Sequence, residues 1–313
     1  MRRAASRYSC PAMDWVLASL GAAIGFAAVT ILDKVILGRY VASAWVFIFF
    51  AGLMQLPGAL VPLAFVAFPG YPITLWLAAL GSGAAFGMSL VLMFWTLRRQ
   101  DASLVTAVYQ TAPVFVAIMA VGLLSEELTA WHWLAIVVTV TGAALISLRR
   151  RRSGGAPVLG GWFFLVLAAS ALYALGAILS KLALDGGTSL WNLYTVRSVT
   201  LAGAMVVLAW RPSVIPQLGM LLRNTNGLLL FIFTEAGLAF ASMYLTTLAI
   251  ELGPVSLATT VMASRPMFVF LFGIVLSLGM LKVLSEPLDR ASLAHRGAAI
   301  AMIVAGVASI SLL

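Results

Sequence analysis

The 313-residue chain is 63% hydrophobic and only 9% charged, whereas a soluble domain is typically about 45–50% apolar and about 25% charged. This composition excludes an ordinary soluble globule and a disordered chain. The formal net charge of +9 would suit nucleic acid only on one contiguous basic face, but the 19 Lys and Arg are scattered among apolar runs. The single cysteine, Cys10, excludes a disulfide framework. The composition therefore predicts a polytopic membrane protein.

Ten stretches are apolar over about the 20 residues that a membrane-crossing helix needs. In chain order they are 14–37, 44–68, 73–97, 102–124, 130–148, 160–184, 190–210, 226–250, 254–279 and 293–312. None alternates in polarity as a barrel strand does, so the predicted fold class is all-α, integral membrane. Residues 1–13 read as a polar N-terminal tail, with Met13 as an alternative start, and residues 149–159 read as a basic linker.

The two halves, 14–148 and 160–313, repeat each other. A shift of 153 residues places 103–108 on 256–261 and Pro113 on Pro266, and self-similarity of this kind indicates duplication. Because each half has five spans, the second half must start on the opposite membrane face. We therefore predict two inverted five-helix repeats, an architecture in which transporters place a site near the midplane.

Three motifs of the first half have counterparts in the second. They are Ser-Leu-Val-Thr-Ala to Ala-Pro-Val-Phe at 103–115, Glu126-Glu127-Leu128 and Gly142, with counterparts at 256–268, Glu286 and Gly306. Together with the five-plus-five spans, they make the whole chain similar to the drug/metabolite transporter superfamily, in its EamA-like branch. The resemblance implies a secondary transporter but leaves the solute open, because members of the group carry unrelated solutes.

Loop charges predict the orientation, since Lys and Arg in short loops mark the cytoplasmic face. One face, called face A here, carries the loops between spans 1–2, 3–4, 5–6, 7–8 and 9–10. Its basic residues are Arg39, Arg98, Arg99, Arg149, Arg150, Arg151, Arg152, Arg211, Arg223, Lys282 and Arg290. We predict that face A is cytoplasmic in the cell (inner or plasma) membrane, with both termini outside. The resemblance implies the opposite, with both termini inside.

Three ionisable residues, Arg197, Glu235 and Arg265, lie deep in predicted spans, where charges are costly and by default mark functional sites. In one interpretation Arg265 and Glu235 form a structural pair and Arg197 snorkels to the opposite face. In the other, a midplane site of net positive character binds an anionic or zwitterionic solute through Arg265 or Arg197. Glu235 is also a candidate proton carrier, for which the sequence shows no partner residue.

Two prolines, Pro113 and Pro266, are predicted to break spans 4 and 9, because proline removes a helical hydrogen bond. Broken helices at membrane depth are tolerated where they are buried in protein or line a cavity. The candidate cavity-lining residues near these breaks are Tyr109, Gln110, Thr111 and Ser264. The alternative is that each proline only kinks a helix and improves its packing.

Polar residues near span ends have simpler interpretations. Asp33, Lys34 and Lys181 are predicted to anchor the membrane interface, and the alternative is a role in gating. The acidic residues that follow spans 4 and 9 are predicted to cap the next helix, where a negative charge suits the helix dipole; they are Glu126, Glu127 and Glu286.

The inverted repeat, the paired prolines and the few buried charges favour a carrier over an enzyme or a channel. The sequence shows no catalytic or metal-binding motif and no phosphate-binding loop, so we predict no enzyme, no cofactor and no metal. A flippase for an anionic lipid head group, or another non-carrier membrane protein of this fold, is the alternative. The expected partners are a small-molecule solute and membrane lipid, without nucleic acid; a homodimer stays open.

Overall fold

The computed structural model describes residues 14–41, 43–97, 99, 102–147, 161–278 and 290–312. The predicted tail 1–13, the basic linker 149–159 and Glu286 lie outside these residues. The first half contains α1 (Asp14–Arg39), α2 (Ala44–Leu60) with the 3-10 helix Val61–Ala64, α3 (Ile73–Leu97), α4 (Ala102–Tyr109), α5 (Ala112–Leu124) and α6 (Ala130–Ser147).

The second half follows the same order of long helices. It contains α7 (Gly161–Asp185), α8 (Leu190–Ala209), α9 (Val214–Arg223), α10 (Thr225–Phe231), the π-helical segment Ile232–Leu238, α11 (Ala239–Leu252), α12 (Val255–Met262), α13 (Arg265–Leu278) and α14 (Arg290–Leu312). Every regular element in the described part of the chain is helical, so the all-helical class is confirmed there.

Each of the ten predicted spans coincides with one helix or with consecutive helical segments. Eight regions of the described chain are long and apolar enough to cross a membrane. The fifth and tenth predicted spans contain the shorter apolar stretches Ala130–Leu145 and Gly297–Ile310, so ten crossings remain a prediction. Helix α9 was not predicted, because its 10 residues are too few to cross the hydrocarbon core.

Several helix pairs join the two halves, among them α3 with α8. Helix α1 packs on α11, α3 packs on α7, α2 packs on α8, and α6 packs on α14. Helices in lipid gain little from the hydrophobic effect when they associate, so close packing through small residues becomes important. These pairs bring the middle segments of both halves together at the centre of the molecule.

Two glycines make the closest approach between α6 and α14. A Cβ at Gly142 would lie 2.8 Å from the carbonyl oxygen of Ala299. A Cβ at Gly306 would lie 2.9 Å from the carbonyl oxygen of Ala135 and would also collide with Thr139. Each glycine thus faces the residue seven positions before the other, so the contact is reciprocal.

The predicted fourth and ninth spans are both interrupted. Helix α4 ends at Tyr109 and α5 begins at Ala112, while α12 ends at Met262 and α13 begins at Arg265. The two breaks lie 153 residues apart, as in the sequence repeat, and each lies directly before Pro113 or Pro266. Proline favours such a restart because it fits the first turn of a helix.

Glu126 was predicted to cap the next helix in the chain. In the structure it caps a helix of the opposite half instead. Its Oε1 accepts a hydrogen bond from the Val255 amide at 2.7 Å, and its Oε2 accepts from the Ser256 amide and hydroxyl. A carboxylate is favourable there because the first amides of a helix lack partners and carry a positive partial charge. Glu127 is exposed, so the structure separates the roles of these two neighbours.

Candidate functional site

A cavity of about 180 Å³ lies at the centre of the molecule, beside the helix break that precedes Pro113. Helices α1 to α5 of the first half and α7, α8 and α11 to α13 of the second half provide its walls. The walls include aromatic and methionine side chains, among them Phe26, Phe47, Phe86, Phe94, Met93, Met205, Met243 and Met262. An apolar cavity with a few polar groups is typical of a small-molecule site.

Two carboxyl groups line this cavity, Asp33 from α1 and Glu235 from the π-helical segment. Their side chains interact with one another. Glu235 also accepts a hydrogen bond from Gln55 Nε2, at 3.4 Å. Asp33 Oδ1 is shielded from solvent and has no hydrogen-bond donor among the described residues. The cavity therefore contains a carboxyl pair whose hydrogen bonds are incomplete.

The backbone around Glu235 is irregular, since Ile232–Leu238 is π-helical. Within it the Ala239 amide bonds to the Thr234 carbonyl, five residues earlier. Such segments are rare and frequently lie at functional sites. Here the segment contains the carboxyl group that meets Asp33, and Glu235 is itself buried.

Arg265 is the cation of the cavity, and it begins α13 directly after the second helix break. Its Nε donates to Thr30 Oγ1 at 3.1 Å, and Nη2 donates to the same oxygen. Its guanidinium lies 5.3 Å from the ring centre of Phe26 and interacts electrostatically with Asp33. Arg265 therefore contacts α1, whereas the contacts of Glu235 are with Asp33 and Gln55.

The first helix break contributes polar contacts to the same cavity. Tyr109 lines it and bonds through its hydroxyl to Ser89 Oγ at 3.0 Å. Gln110 lines it and donates from Nε2 to the Ala263 carbonyl at 3.0 Å. Residues 110 and 263 are equivalent in the 153-residue repeat, so the two breaks touch each other. The Tyr109 carbonyl, which the proline frees, accepts a hydrogen bond from Ser170.

Three of the predicted site residues and one predicted helix-breaking proline lie away from the cavity lining. Thr111 bonds back to its own helix, to the Val108 carbonyl at 2.7 Å. Ser264 is buried, and its hydroxyl has no partner among the described residues. Pro266 follows Arg265 in the first turn of α13. Of the two predicted helix-breaking prolines, Pro113 alone is among the residues that line the cavity.

Arg197 forms a separate buried cluster between α7, α8 and α11. It is 0% exposed, so it does not snorkel to the membrane face. Nη2 donates to Thr247 Oγ1 at 2.8 Å and to the Met243 carbonyl at 3.4 Å, and Nη1 donates to Ser180 Oγ at 3.5 Å. Phe86, which lines the cavity, lies 5.3 Å from its guanidinium. Arg197 thus contacts the cavity wall and is not part of the lining.

Asp33 is the site residue that the sequence interpretation placed wrongly. It was assigned to the membrane interface because it lies near the end of the predicted first span. The structure extends α1 to Arg39 and places Asp33 in the cavity. The spacing of Phe26, Thr30 and Asp33 was a usable signal, because residues seven and three apart share a helix face. Lys181, by contrast, pairs with Asp185 at 3.2 Å near the end of α7.

Long apolar helices, two broken helices and a central cavity define a multi-pass helical membrane protein. Residues 13–148 match the model of the EamA-like transporter family, so the resemblance predicted from the sequence is confirmed over those residues. No curated protein matches the chain. A solved structure titled "Crystal structure of protein" has a TM-score of 0.67 at 17% identity, covering 93% of this chain and 96% of its own. At that identity the likeness shows a shared fold alone.

Proposed function

We propose that this chain is a secondary transporter that moves a small polar metabolite through the central cavity by alternating access. The observation that carries the proposal is a cavity with polar groups from both halves, Asp33, Glu235 and Arg265, beside two broken helices. Unwound backbone at membrane depth is typical of the binding sites of transporters. The match to the EamA-like transporter family supports the same class.

The helix pairing supports the inverted repeat on which alternating access depends. If α1, α2, α3 and α6 correspond to α7, α8, α11 and α14, the pairing of α1 with α11 is equivalent to that of α3 with α7. In the pairs α2–α8 and α6–α14, each helix packs on its own counterpart in the other half. The reciprocal glycine contacts and the helix breaks 153 residues apart agree with this symmetry. Exchange of the two halves' conformations would open the cavity to the opposite face.

The charges in the cavity favour a zwitterion over a simple anion. Arg265 offers a guanidinium for a carboxylate or phosphate, while Asp33 and Glu235 offer carboxyl oxygens for an ammonium group. Aromatic and methionine walls suit an apolar body between these two groups. We therefore propose a small amphipathic solute that carries both an amino and an acidic group. This refines the predicted site of net positive character, because Asp33 adds a second acidic group.

The proposal includes an orientation with face A in the cytoplasm of the cell membrane. The basic loop residues Arg39, Arg99, Arg211 and Arg223 lie on that face, where the positive-inside rule places them. A C-terminal fusion to a reporter that is active only in the cytoplasm should then be silent in intact cells. A strong cytoplasmic signal would reverse the assignment.

Counterflow in proteoliposomes tests the transport function. Vesicles that contain the purified protein are preloaded with unlabelled leucine or phenylalanine and then given the radiolabelled solute at low concentration. We expect labelled solute to accumulate transiently, because a carrier exchanges bound solutes across the membrane without net energy input. The exchange should saturate as the concentration of solute rises.

The controls for counterflow are protein-free vesicles and parallel panels of organic anions and nucleotide sugars. The carrier proposal would be contradicted if no solute gave saturable exchange, whether amino acid, organic anion or nucleotide sugar. Movement of a fluorescent phospholipid between leaflets, without solute exchange, would favour the alternative of a lipid-head-group flippase.

A further inference from the structure

We propose that Asp33 and Glu235 together bind one exchangeable proton, and that the ammonium group of the solute displaces it. The cavity would then exchange a proton for a solute at one carboxyl pair. This inference rests on the proposed transport function for its direction, but the proton-binding site itself rests on the contacts of these two side chains.

The contacts require a proton because two ionised carboxylates have only acceptor atoms. Asp33 and Glu235 line the same cavity and interact with each other, and Asp33 Oδ1 has no donor among the described residues. Two interacting carboxylates in one buried cavity are costly to keep ionised together, and such pairs share one proton. A proton on either carboxyl supplies the missing donor and removes the repulsion.

The other charged and titratable groups near the pair balance only one of its two negative charges, so one proton is needed to balance the second. Arg265 from α13 interacts with Asp33, and Tyr109 and Tyr173 interact with Arg265. Gln55 from α2 donates to Glu235 and is neutral. Lys34 follows Asp33 on α1 and is exposed. One proton on the pair makes the cavity charges of Asp33, Glu235 and Arg265 sum to zero, while loss of that proton leaves a site for a cation.

The position of Arg265 would couple proton binding to a movement of the two halves relative to each other. It donates to Thr30, which lies three residues before Asp33 on α1, and it begins the broken helix α13. A displacement of α13 relative to α1 changes the distance between the guanidinium and Asp33. Because a nearby cation favours the ionised carboxylate, this displacement would change whether the pair retains or releases its proton.

Infrared spectroscopy tests the proton site without any solute. The C=O band of a protonated carboxyl, identified by its shift in D₂O, is followed in pH-difference spectra of the purified protein. We expect a titrating band in the native protein. The band should be lost in Glu235→Gln, where the remaining Asp33 faces Arg265, and should shift in Asp33→Asn. Asp185→Asn is the matched control, because Asp185 pairs with Lys181, and it should keep the native band.

A native protein without this band, or a band unchanged in both cavity variants, would overturn the proton site. The transport arm uses whichever probe solute, leucine or phenylalanine, gives counterflow. An acidic vesicle interior should accelerate uptake by the native protein relative to its own rate at equal pH, and Glu235→Gln should show no such acceleration relative to its own rate at equal pH. Acceleration that survives in Glu235→Gln would overturn the coupling. Absence of counterflow in the native protein contradicts the transport function instead and leaves the infrared result to decide the proton site.

Discussion

Replacement of Arg265 by alanine is expected to abolish solute transport while membrane insertion is retained. Arg265 is the guanidinium of the cavity, and it connects α13 to α1 through Thr30. In the proposed mechanism it binds the acidic group of the solute. A hydrogen bond to a charged group contributes about 1.5–3 kcal/mol, which corresponds to a loss of about one to two orders of magnitude in affinity. The alanine variant also leaves the Asp33–Glu235 pair without its nearby cation.

The measurement is counterflow by purified variants at matched protein density, together with their thermal unfolding. Arg265→Lys should transport with an intermediate apparent affinity, because lysine keeps the charge but lacks the planar two-pronged donor. Arg211→Ala is the matched control, since Arg211 lies over the Trp45 ring at a helix end, 4.8 Å from the ring centre, and it should transport normally. An Arg265→Ala variant with native transport would contradict the proposed binding site.

The centre of the fold was predictable because its signals are local in the sequence. Pro113 and Pro266 cannot donate helical hydrogen bonds, and their identical spacing within the repeat indicated that both spans break. Glu235 and Arg265 stand out because a charge inside an apolar run has few explanations. Each of these residues carries its signal by its own chemistry and position, before any tertiary contact is known.

The partners of these residues were not predictable in the same way. Asp33 lies at the end of an apolar run, so its burial depends on the helices that cover it. Gln55 is uncharged and gave no signal, although it donates to Glu235. Glu126 bonds to a helix start 129 residues later in the chain, a contact that only the packing of the two halves creates. The π-helical turn at Ile232–Leu238 has no sequence signature that we recognise.

Arg197 is a different case, since this deep charge was predicted as a candidate binding group and lies outside the cavity lining. The residue is fully buried and bonds to Thr247, Ser180 and the Met243 carbonyl. Uncharged polar groups of α7 and α11 bond to its two terminal nitrogens, while its Nε has no partner among the described residues. Serine and threonine inside apolar helices look neutral in a sequence, so their convergence on one arginine becomes visible only in three dimensions.

Introduction of a side chain at Gly83 is expected to destabilise the whole protein, because α3 and α8 approach most closely there. A Cβ at Gly83 would collide with the Arg197 carbonyl and the Thr200 hydroxyl, and it would lie 2.9 Å from Thr200 Cβ. Gly87, one turn later, would place a Cβ 2.7 Å from that of Ala204. This spacing of small residues permits close helix packing in membranes. Because Arg197 contributes its carbonyl to the contact, separation of these helices also disturbs its polar cluster.

Gly83→Ala should lower the free energy of unfolding by about 1–3 kcal/mol, the usual cost of overpacking, and Gly83→Leu should yield little folded protein. Gly203→Ala is the matched control on α8, since no described residue lies within 4 Å of a Cβ at that exposed glycine. Alanine also favours a helix more than glycine does, so the control should unfold at or above the native temperature. The comparison is made by thermal unfolding in one detergent and by the monodisperse fraction on size exclusion. Equal stability of Gly83→Ala and Gly203→Ala would show that α3 and α8 do not pack as closely as described.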